Sequence, residues 1–287
     1  MWFKSYRDYH KNPRLGRFVI DLTGAELKEF NSAIDVALDA VHEIVKTHPA
    51  PYTLLVSGGA DSQAMIYVWK LSNIPFRVVH YNYLGLNYHD TEFLIKFCQY
   101  YQVPYEIIDF DAVSFITSDL LKDYAKKYDC SSPQILTYIK FTEQHPETAI
   151  MSGNIKHYDS IGINYTVFAL DRFREQSKAN FVPFFFTSTP SITFLTTYLT
   201  NTYSIENTSG YDIKCDQYSQ LGVSIMAQPT KYTGFEKIKE LFDNVHVPVY
   251  LRIKYKSYDS KRPFDLLYRY ALYDHITVYN ERTRIIT

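Results

Sequence analysis

The stretch Leu54-Leu55-Val56-Ser57-Gly58-Gly59-Ala60-Asp61-Ser62-Gln63-Ala64-Met65-Ile66 decides the fold of this chain. Its apolar start reads as a buried strand, its glycine pair as a tight turn, and the run from Gln63 to Trp69 as a helix. A strand, a glycine turn and a helix in that order aim backbone N–H groups at an anion. The positive end of the helix dipole adds to the attraction. The hydroxyls of Ser57 and Ser62 and the carboxylate of Asp61 share the loop. The chemistry indicated is pyrophosphate binding with a metal held beside it.

From Pro51 onward, strands and helices alternate. The first strand is predicted at Tyr52–Val56 and its helix at residues 61–71. A second strand, Phe76–Tyr81, precedes a helix over residues 90–101, and a third strand is expected at Pro104–Phe110. Helical spacing then fits residues 114–128 and 133–144. A fourth strand at Thr148–Met151 ends in Ser152-Gly153-Asn154, and Phe181–Phe186 is a fifth candidate, with a helix over residues 190–199 behind it. Such alternation predicts an α/β fold with a parallel sheet covered on both faces, whose ligands bind beyond the carboxyl ends of the strands.

Ahead of this core, Thr23-Gly24-Ala25-Glu26 reads as a capping box that opens an amphipathic helix over residues 24–47. Behind it the pattern loosens, with Gly234–Phe242 helical and Val247–Tyr255 extended. The expected organisation is an N-terminal extension over 1–50, a nucleotide-binding domain over 51–200, and a C-terminal subdomain or lid over 201–287.

Bulk composition narrows the partners. A formal net charge of −1 gives no global field toward nucleic acid or an anionic membrane, and the basic stretch from Lys254 to Arg262 fits a solvated edge. No run reaches the roughly 20 apolar residues of a membrane span. Three scattered cysteines exclude a disulfide framework and a zinc site. Cys98 sits in an apolar helical run, whereas Cys130 and Cys215 have polar neighbours. A reducing cytoplasm is the expected compartment. The heavy use of Tyr, Asn, Lys and Ile is that of an AT-rich genome such as a viral one, in which case the cytoplasm is the host's.

The order Ser-Gly-Gly-x-Asp-Ser at residues 57–62 resembles the PP-loop of the ATP pyrophosphatase superfamily. That group includes lysidine synthetase, the queuosine-precursor enzymes and NAD synthetase, with phosphoadenosine-phosphosulfate reductases as relatives of altered loop. A Walker loop would end in Lys-Ser/Thr, and a dinucleotide fold would carry a third spaced glycine; both are missing. The resemblance covers residues 51–200. It implies an adenine nucleotide alpha hydrolase-like (HUP-type) three-layer core with ATP and Mg²⁺ as cofactors. In that family ATP is cut between its α- and β-phosphates. AMP is attached to a substrate oxygen, and a nitrogen or sulfur nucleophile then displaces it.

Carried over position by position, the resemblance implies that Ser57, Gly58, Gly59 and Ser62 hold the β,γ-phosphates and that Asp61 binds Mg²⁺. Val78-Val79-His80-Tyr81-Asn82-Tyr83 resembles the family's second strand, which ends beside the adenine, so His80 and Asn82 are candidates to line the nucleotide or substrate pocket. Ser152-Gly153-Asn154 resembles its fourth strand ending, where Gly153 admits the backbone to the ribose or α-phosphate. Asn154 stands where many members have His, and Asp159 falls later than the family's second acid. The lysine that many relatives carry at the start of the helix after strand five is missing. Lys231 is the candidate replacement, ahead of Arg172, Arg174 and Lys261.

The leading reading is therefore an AMP-forming, ligase-like enzyme that adenylates a carbonyl or carboxylate oxygen of a small molecule or modified base. A homodimer is compatible with the aromatic content, and neither a strong nucleic-acid footprint nor a membrane is expected. Two alternatives stand beside it. One is a reductase-like or sulfur-transfer relative, for which only Cys130 and Cys215 are available. The other is a nucleotide-binding module without catalysis, which the missing lysine favours.

Overall fold

Tyr52–Val56 (β3) is buried along its whole length, the state of a strand at the centre of a sheet with both faces covered. In a computed structural model it is the middle strand of five. The structure describes residues 3–5, 17–21, 28–128, 133–153, 170, 173–202, 215–216, 218–226, 234–235, 237–238 and 275–279. Two short strands, Phe3–Ser5 (β1) and Arg17–Asp21 (β2), precede the first helix, Ala33–Thr47 (α1). After β3 come Ala60–Leu71 (α2), Phe76–Asn82 (β4), Tyr88–Tyr100 (α3) and Tyr105–Asp109 (β5). Three helices follow, Ala112–Thr117 (α4), Asp119–Lys127 (α5) and Pro133–Thr142 (α6). Thr148–Met151 (β6), Phe181–Val182 (β7) and Pro190–Thr202 (α7) complete the core, and His275–Tyr279 (β8) lies near the C-terminus.

The main sheet has the order β5-β4-β3-β6-β7, with every pair parallel. The chain steps outward from β3 through β4 to β5. Helices α4–α6 then carry it back to β6 on the other side of β3. The strand order therefore reverses between β3 and β6, and in open parallel sheets the crevice at such a reversal receives the ligand. The loop after Val56 and the residues after Met151 both open there, because Leu55 is in register with Met151. The parallel α/β architecture expected from the sequence is present.

Alternation along the strands divides the core in two. Leu54, Val56, Val78, Ile150 and Val182 face α1, α2 and α3, where Val41, Met65, Trp69 and Phe97 are buried. Leu55, Val79, Tyr81, Ala149 and Phe181 face the other layer, with Phe115, Leu136, Ile139 and Phe141. Leu54 is 0 % exposed, and truncating a side chain so placed costs about 2–5 kcal/mol. Tyr218, Leu221 and Val223, far along the chain, join the first of these clusters.

Local structure departs from expectation at four places. The first helix begins at Ala33 rather than residue 24, because Ser32 caps it: its Oγ accepts from the Asp35 amide at 3.3 Å. Residues 28–30 are non-helical, and Lys28 reaches Asp39 at 2.7 Å and Glu43 at 2.9 Å, a span that only a chain folded back along α1 allows. The predicted box at Thr23 lies outside the described residues. The helix expected over 114–128 is two helices broken at Ser118, whose backbone is extended. Thr117 Oγ1 bonds back to the Val113 carbonyl at 2.9 Å, the local competition by which Ser and Thr disturb helices. The strand expected over Phe181–Phe186 stops at Val182, ahead of Pro183, and Phe185–Thr187 forms a 3₁₀ turn. Finally, β1, β2 and β8 make a second, three-stranded sheet that the sequence did not announce, with β2 parallel to β8 from Arg17–His275 to Asp21–Tyr279. The extended segment at Val247–Tyr255 and most of the helix at Gly234–Phe242 lie outside the described residues.

Candidate active site

The glycine loop is built from its own short side chains. Ser62 Oγ accepts the Ser57 amide at 3.0 Å and lies 3.2 Å from Ser57 Oγ. Ser57 Oγ also accepts the Gly59 amide at 3.3 Å. The loop is thereby closed into a ring, with Ser57 exposed and Ser62 buried.

The two glycines do different work. Gly58 has φ +93°, and a Cβ there would stand 2.1 Å from the Asp90 carbonyl oxygen. It is glycine so that the loop can turn and the start of α3 can press against it. Gly59, with φ −69°, is in a conformation open to any residue, and a Cβ would meet only Ser57 Oγ at 3.5 Å. It is the N-cap of α2 and makes no side-chain capping bond. The first turn of this 12-residue helix thus presents its amides without a side-chain cap, at the positive end of its dipole. Space over Gly59, two hydroxyls and an uncapped helix start form a donor set that fits a polyphosphate.

Asp61, in that first turn, is 7 % exposed. The Tyr218 hydroxyl donates to its Oδ1, across 157 residues of sequence. Burial pushes the Tyr218 phenol well above its ordinary pKa, and the neighbouring Asp61 charge raises it further, so the hydroxyl stays a donor. Gln63 fastens the same region from the next turn. Its Nε2 donates to the Gly58 carbonyl at 2.9 Å, and its Oε1 accepts the Met226 amide at 2.8 Å. The Tyr101 hydroxyl donates to the Ser224 carbonyl at 3.1 Å. Residues 218–226 are therefore strapped against α2 and the end of α3 by three side chains.

His80, at the end of β4, is 1 % exposed. Its Nδ1 lies 2.9 Å from the Val56 carbonyl, the last strand residue before the loop, so that nitrogen carries the proton. Nε2 faces Thr91 Oγ1 at 2.8 Å and Asn87 Nδ2 at 3.4 Å. Burial lowers its pKa, only partly offset by the bond to Val56, and the ring is neutral. His80 thus ties the end of β4 to the end of β3. Asn82 is half-buried; its Nδ2 donates to Asp109 at 2.6 Å and its Oδ1 accepts the Gly85 amide at 2.9 Å. It shapes the turn that leaves β4. Gly153, φ +68°, follows β6 and lies where a Cβ would be 2.8 Å from the Phe184 ring.

Ser57, Gly58, Gly59, Asp61 and Ser62 therefore share one loop, with His80 braced directly behind it and Asn82 and Gly153 at the ends of the neighbouring strands. Lys231, Asn154, Asp159, Arg172, Lys261 and Cys130 lie outside the described residues. Burial pushes the Cys98 thiol up to about 12, the state of an inert core cysteine, and Cys215 is half-buried. Among the described residues no cluster of three or more His, Cys, Asp or Glu side chains stands ready for a metal, and no helix is long and apolar enough to cross a membrane. Sequence reading missed Tyr218, Gln63 and Asp90, the last a 2 % exposed acid at the start of α3. Gln63 was visible beside the motif, but nothing local marks a tyrosine so far along the chain as its partner.

No family model matches the chain, and no curated relative does. Among solved structures it is similar to the U34-tRNA thiolase NcsA from Methanococcus maripaludis with its 4Fe–4S cluster, at 13 % identity over 83 % of this chain and 77 % of that one, with a TM-score of 0.33. It is also similar to the NMN synthetase from Francisella tularensis, at 12 % identity over 76 % of this chain and 95 % of that one, again with a TM-score of 0.33. Likenesses at that level decide neither fold nor chemistry, which rest on the sheet order and the loop.

Proposed function

We propose that this chain is an ATP-using, AMP-forming enzyme of the PP-loop kind. It adenylates a carbonyl or carboxylate oxygen of a small molecule or modified base and releases pyrophosphate, ahead of attack by a nitrogen or sulfur nucleophile. One observation carries the reading: the Ser-Gly-Gly-Ala-Asp-Ser loop opens at the reversal point of a parallel sheet, at the uncapped start of α2. Dinucleotide and Walker loops share that location, but neither places Asp and Ser in the helix's first turn behind two glycines.

On this reading the amides of Gly58 and Gly59 and the hydroxyls of Ser57 and Ser62 hold the β,γ-phosphates. The donor geometry supports this, because both hydroxyls lie within one loop 3.2 Å apart. Asp61 would supply a hard oxygen ligand for Mg²⁺, and a cation held there would offset negative charge on the phosphates. His80 and Asn82 set the loop that borders the nucleotide, and Gly153 lets the backbone approach from β6. Lys231 is the proposed basic group on the α-phosphate side. The acceptor is a small molecule or modified base, the protein acts in the cytoplasm, and it works without a membrane. A sulfur-carrier role for Cys98 is disfavoured by its burial and raised pKa.

Incubation with ATP, Mg²⁺ and a panel of carboxylate, amide and modified-base acceptors tests this. AMP and pyrophosphate are expected from the parent chain and not from Asp61→Ala. If neither product forms with any acceptor, and Asp61→Ala behaves like the parent in cells, the reading is wrong.

A further inference from the structure

The Tyr218 hydroxyl donates to Oδ1 of a carboxylate that the glycine loop places in the first turn of α2. Tyr218 is 0 % exposed, and its ring packs 5.5 Å from that of Phe186 in the 3₁₀ turn after β7. Its segment is tied to α2 itself, because the Met226 amide donates to Gln63 Oε1 at 2.8 Å. A fully buried donor in a segment held in this way is a fixture of the site, unlike a side chain that swings aside to admit a ligand. A carboxylate with one oxygen pinned has its plane and rotamer set before any cation arrives. Such outer partners orient metal ligands and tune their affinity.

We infer that Tyr218 is a positioning residue for the divalent cation of this site: its hydroxyl fixes Asp61 Oδ1 and so orients the carboxylate that holds the cation. The inference rests on the reading of Asp61 as the cation's ligand. It goes further in giving residues 218–226 a part in cation affinity, although they come from far outside the strand–helix core. It also sets the chemical class of the cation, since a single oriented carboxylate beside phosphate donors suits a hard, oxygen-seeking divalent ion.

Manganese(II) titration followed by electron paramagnetic resonance, with a non-hydrolysable ATP analogue present, tests it without turnover. Tyr218→Phe keeps the ring and removes only the hydroxyl. Its dissociation constant for Mn²⁺ is expected to rise about 10–100-fold, the usual effect of losing an outer-shell partner. Tyr101→Phe removes another anchor of the same strap without touching Asp61, and is expected to bind Mn²⁺ like the parent. Near-ultraviolet circular dichroism checks that both variants are folded. If the parent binds Mn²⁺ and Tyr218→Phe binds it equally well, or if Tyr101→Phe weakens binding as much, Tyr218 is structural and the inference is overturned while the nucleotide reading stands. If the parent itself binds neither the analogue nor Mn²⁺, both fall together.

Discussion

At the amino-terminal edge of the sheet, Arg77 pairs with Glu106 at 2.7 Å and Glu147 at 3.4 Å, and Glu147 also accepts from Thr53 at 2.7 Å and faces His145 Nδ1 at 3.1 Å. The Tyr81 hydroxyl completes the set, 2.8 Å from Gln144 and 2.9 Å from His145. At the carboxyl-terminal edge, short side chains and backbone amides do most of the bonding, and α2 starts without a side-chain cap. The first edge closes long charged side chains on one another. The second keeps small hydroxyls and a helix start without a side-chain cap around a buried carboxylate. Polar character alone therefore does not mark a site; what marks it is short hydroxyl donors gathered at a helix start without a side-chain cap.

The sharpest way to break this contrast is at Asp61. Asp61→Asn keeps an acceptor for Tyr218 but loses the charge, and AMP formation is expected to fall about 10²–10³-fold, as for other lost electrostatic partners of a reacting group. Stability in urea should scarcely change. A variant that folds and turns over like the parent would place the chemistry elsewhere.

The glycines sharpen the same contrast between frame and site. Gly58→Ala forces a side chain to φ +93° and into the Asp90 carbonyl, so it should cost about 2–4 kcal/mol from left-handed strain and overpacking. Gly59→Ala meets only Ser57 Oγ and should change stability by less than about 1 kcal/mol. Its methyl group faces the open side of the loop, so it should weaken binding of an ATP analogue instead. Chemical denaturation and calorimetry on both variants measure this exchange of roles.

The amino-terminal edge should behave as pure structure. Burial by itself raises the Glu147 pKa, but bonds from Thr53, its own amide and His145 outweigh that and hold it below the ordinary value. A depressed carboxylate stabilises the fold above its unfolded pKa of about 4.3, and that contribution disappears as pH falls through the folded value. Glu147→Gln is therefore expected to cost about 1–2 kcal/mol at pH 7, to cost progressively less as pH falls from about 4.3 through the lowered folded pKa, and to leave turnover intact. Urea titrations at a series of pH values decide it.

His80 shows only in how stability depends on pH. Its folded pKa is lowered, so the stability it contributes is complete above its unfolded value of about 6.5 and declines as pH falls below that point. The parent should lose stability faster than His80→Gln between pH 6.5 and 5, by at most about 1.4 kcal/mol per pH unit. Equal slopes would mean that the ring is not held neutral between Val56 and Thr91.

The legible parts of this molecule are those whose cause is local. The loop at residues 57–62, the buried strand before it and the helix after it follow from neighbours in sequence, and so do β4, β6 and the parallel architecture. Even the first helix carried its true start in Ser32-Ala33-Ile34-Asp35, a signal overshadowed by the equally well-formed box at Thr23. The pairing of Tyr218 with Asp61 has no local cause: it spans 157 residues and depends on where the whole core places the 218–226 strap. The same holds for β2 beside β8, whose partners stand at opposite ends of the chain. His80 shows a third case. Its position at a strand end was readable, but both of its ring nitrogens are engaged by Val56 and Thr91, which only the packed β3–β4–α3 corner reveals.

A crystal structure with a non-hydrolysable ATP analogue and Mg²⁺ tests the central claim most directly. The account predicts the β- and γ-phosphates on the amides of Gly58 and Gly59 and the hydroxyls of Ser57 and Ser62, with the cation on Asp61. Phosphates bound at another strand end, or a loop that stays bare at saturating analogue, would contradict it.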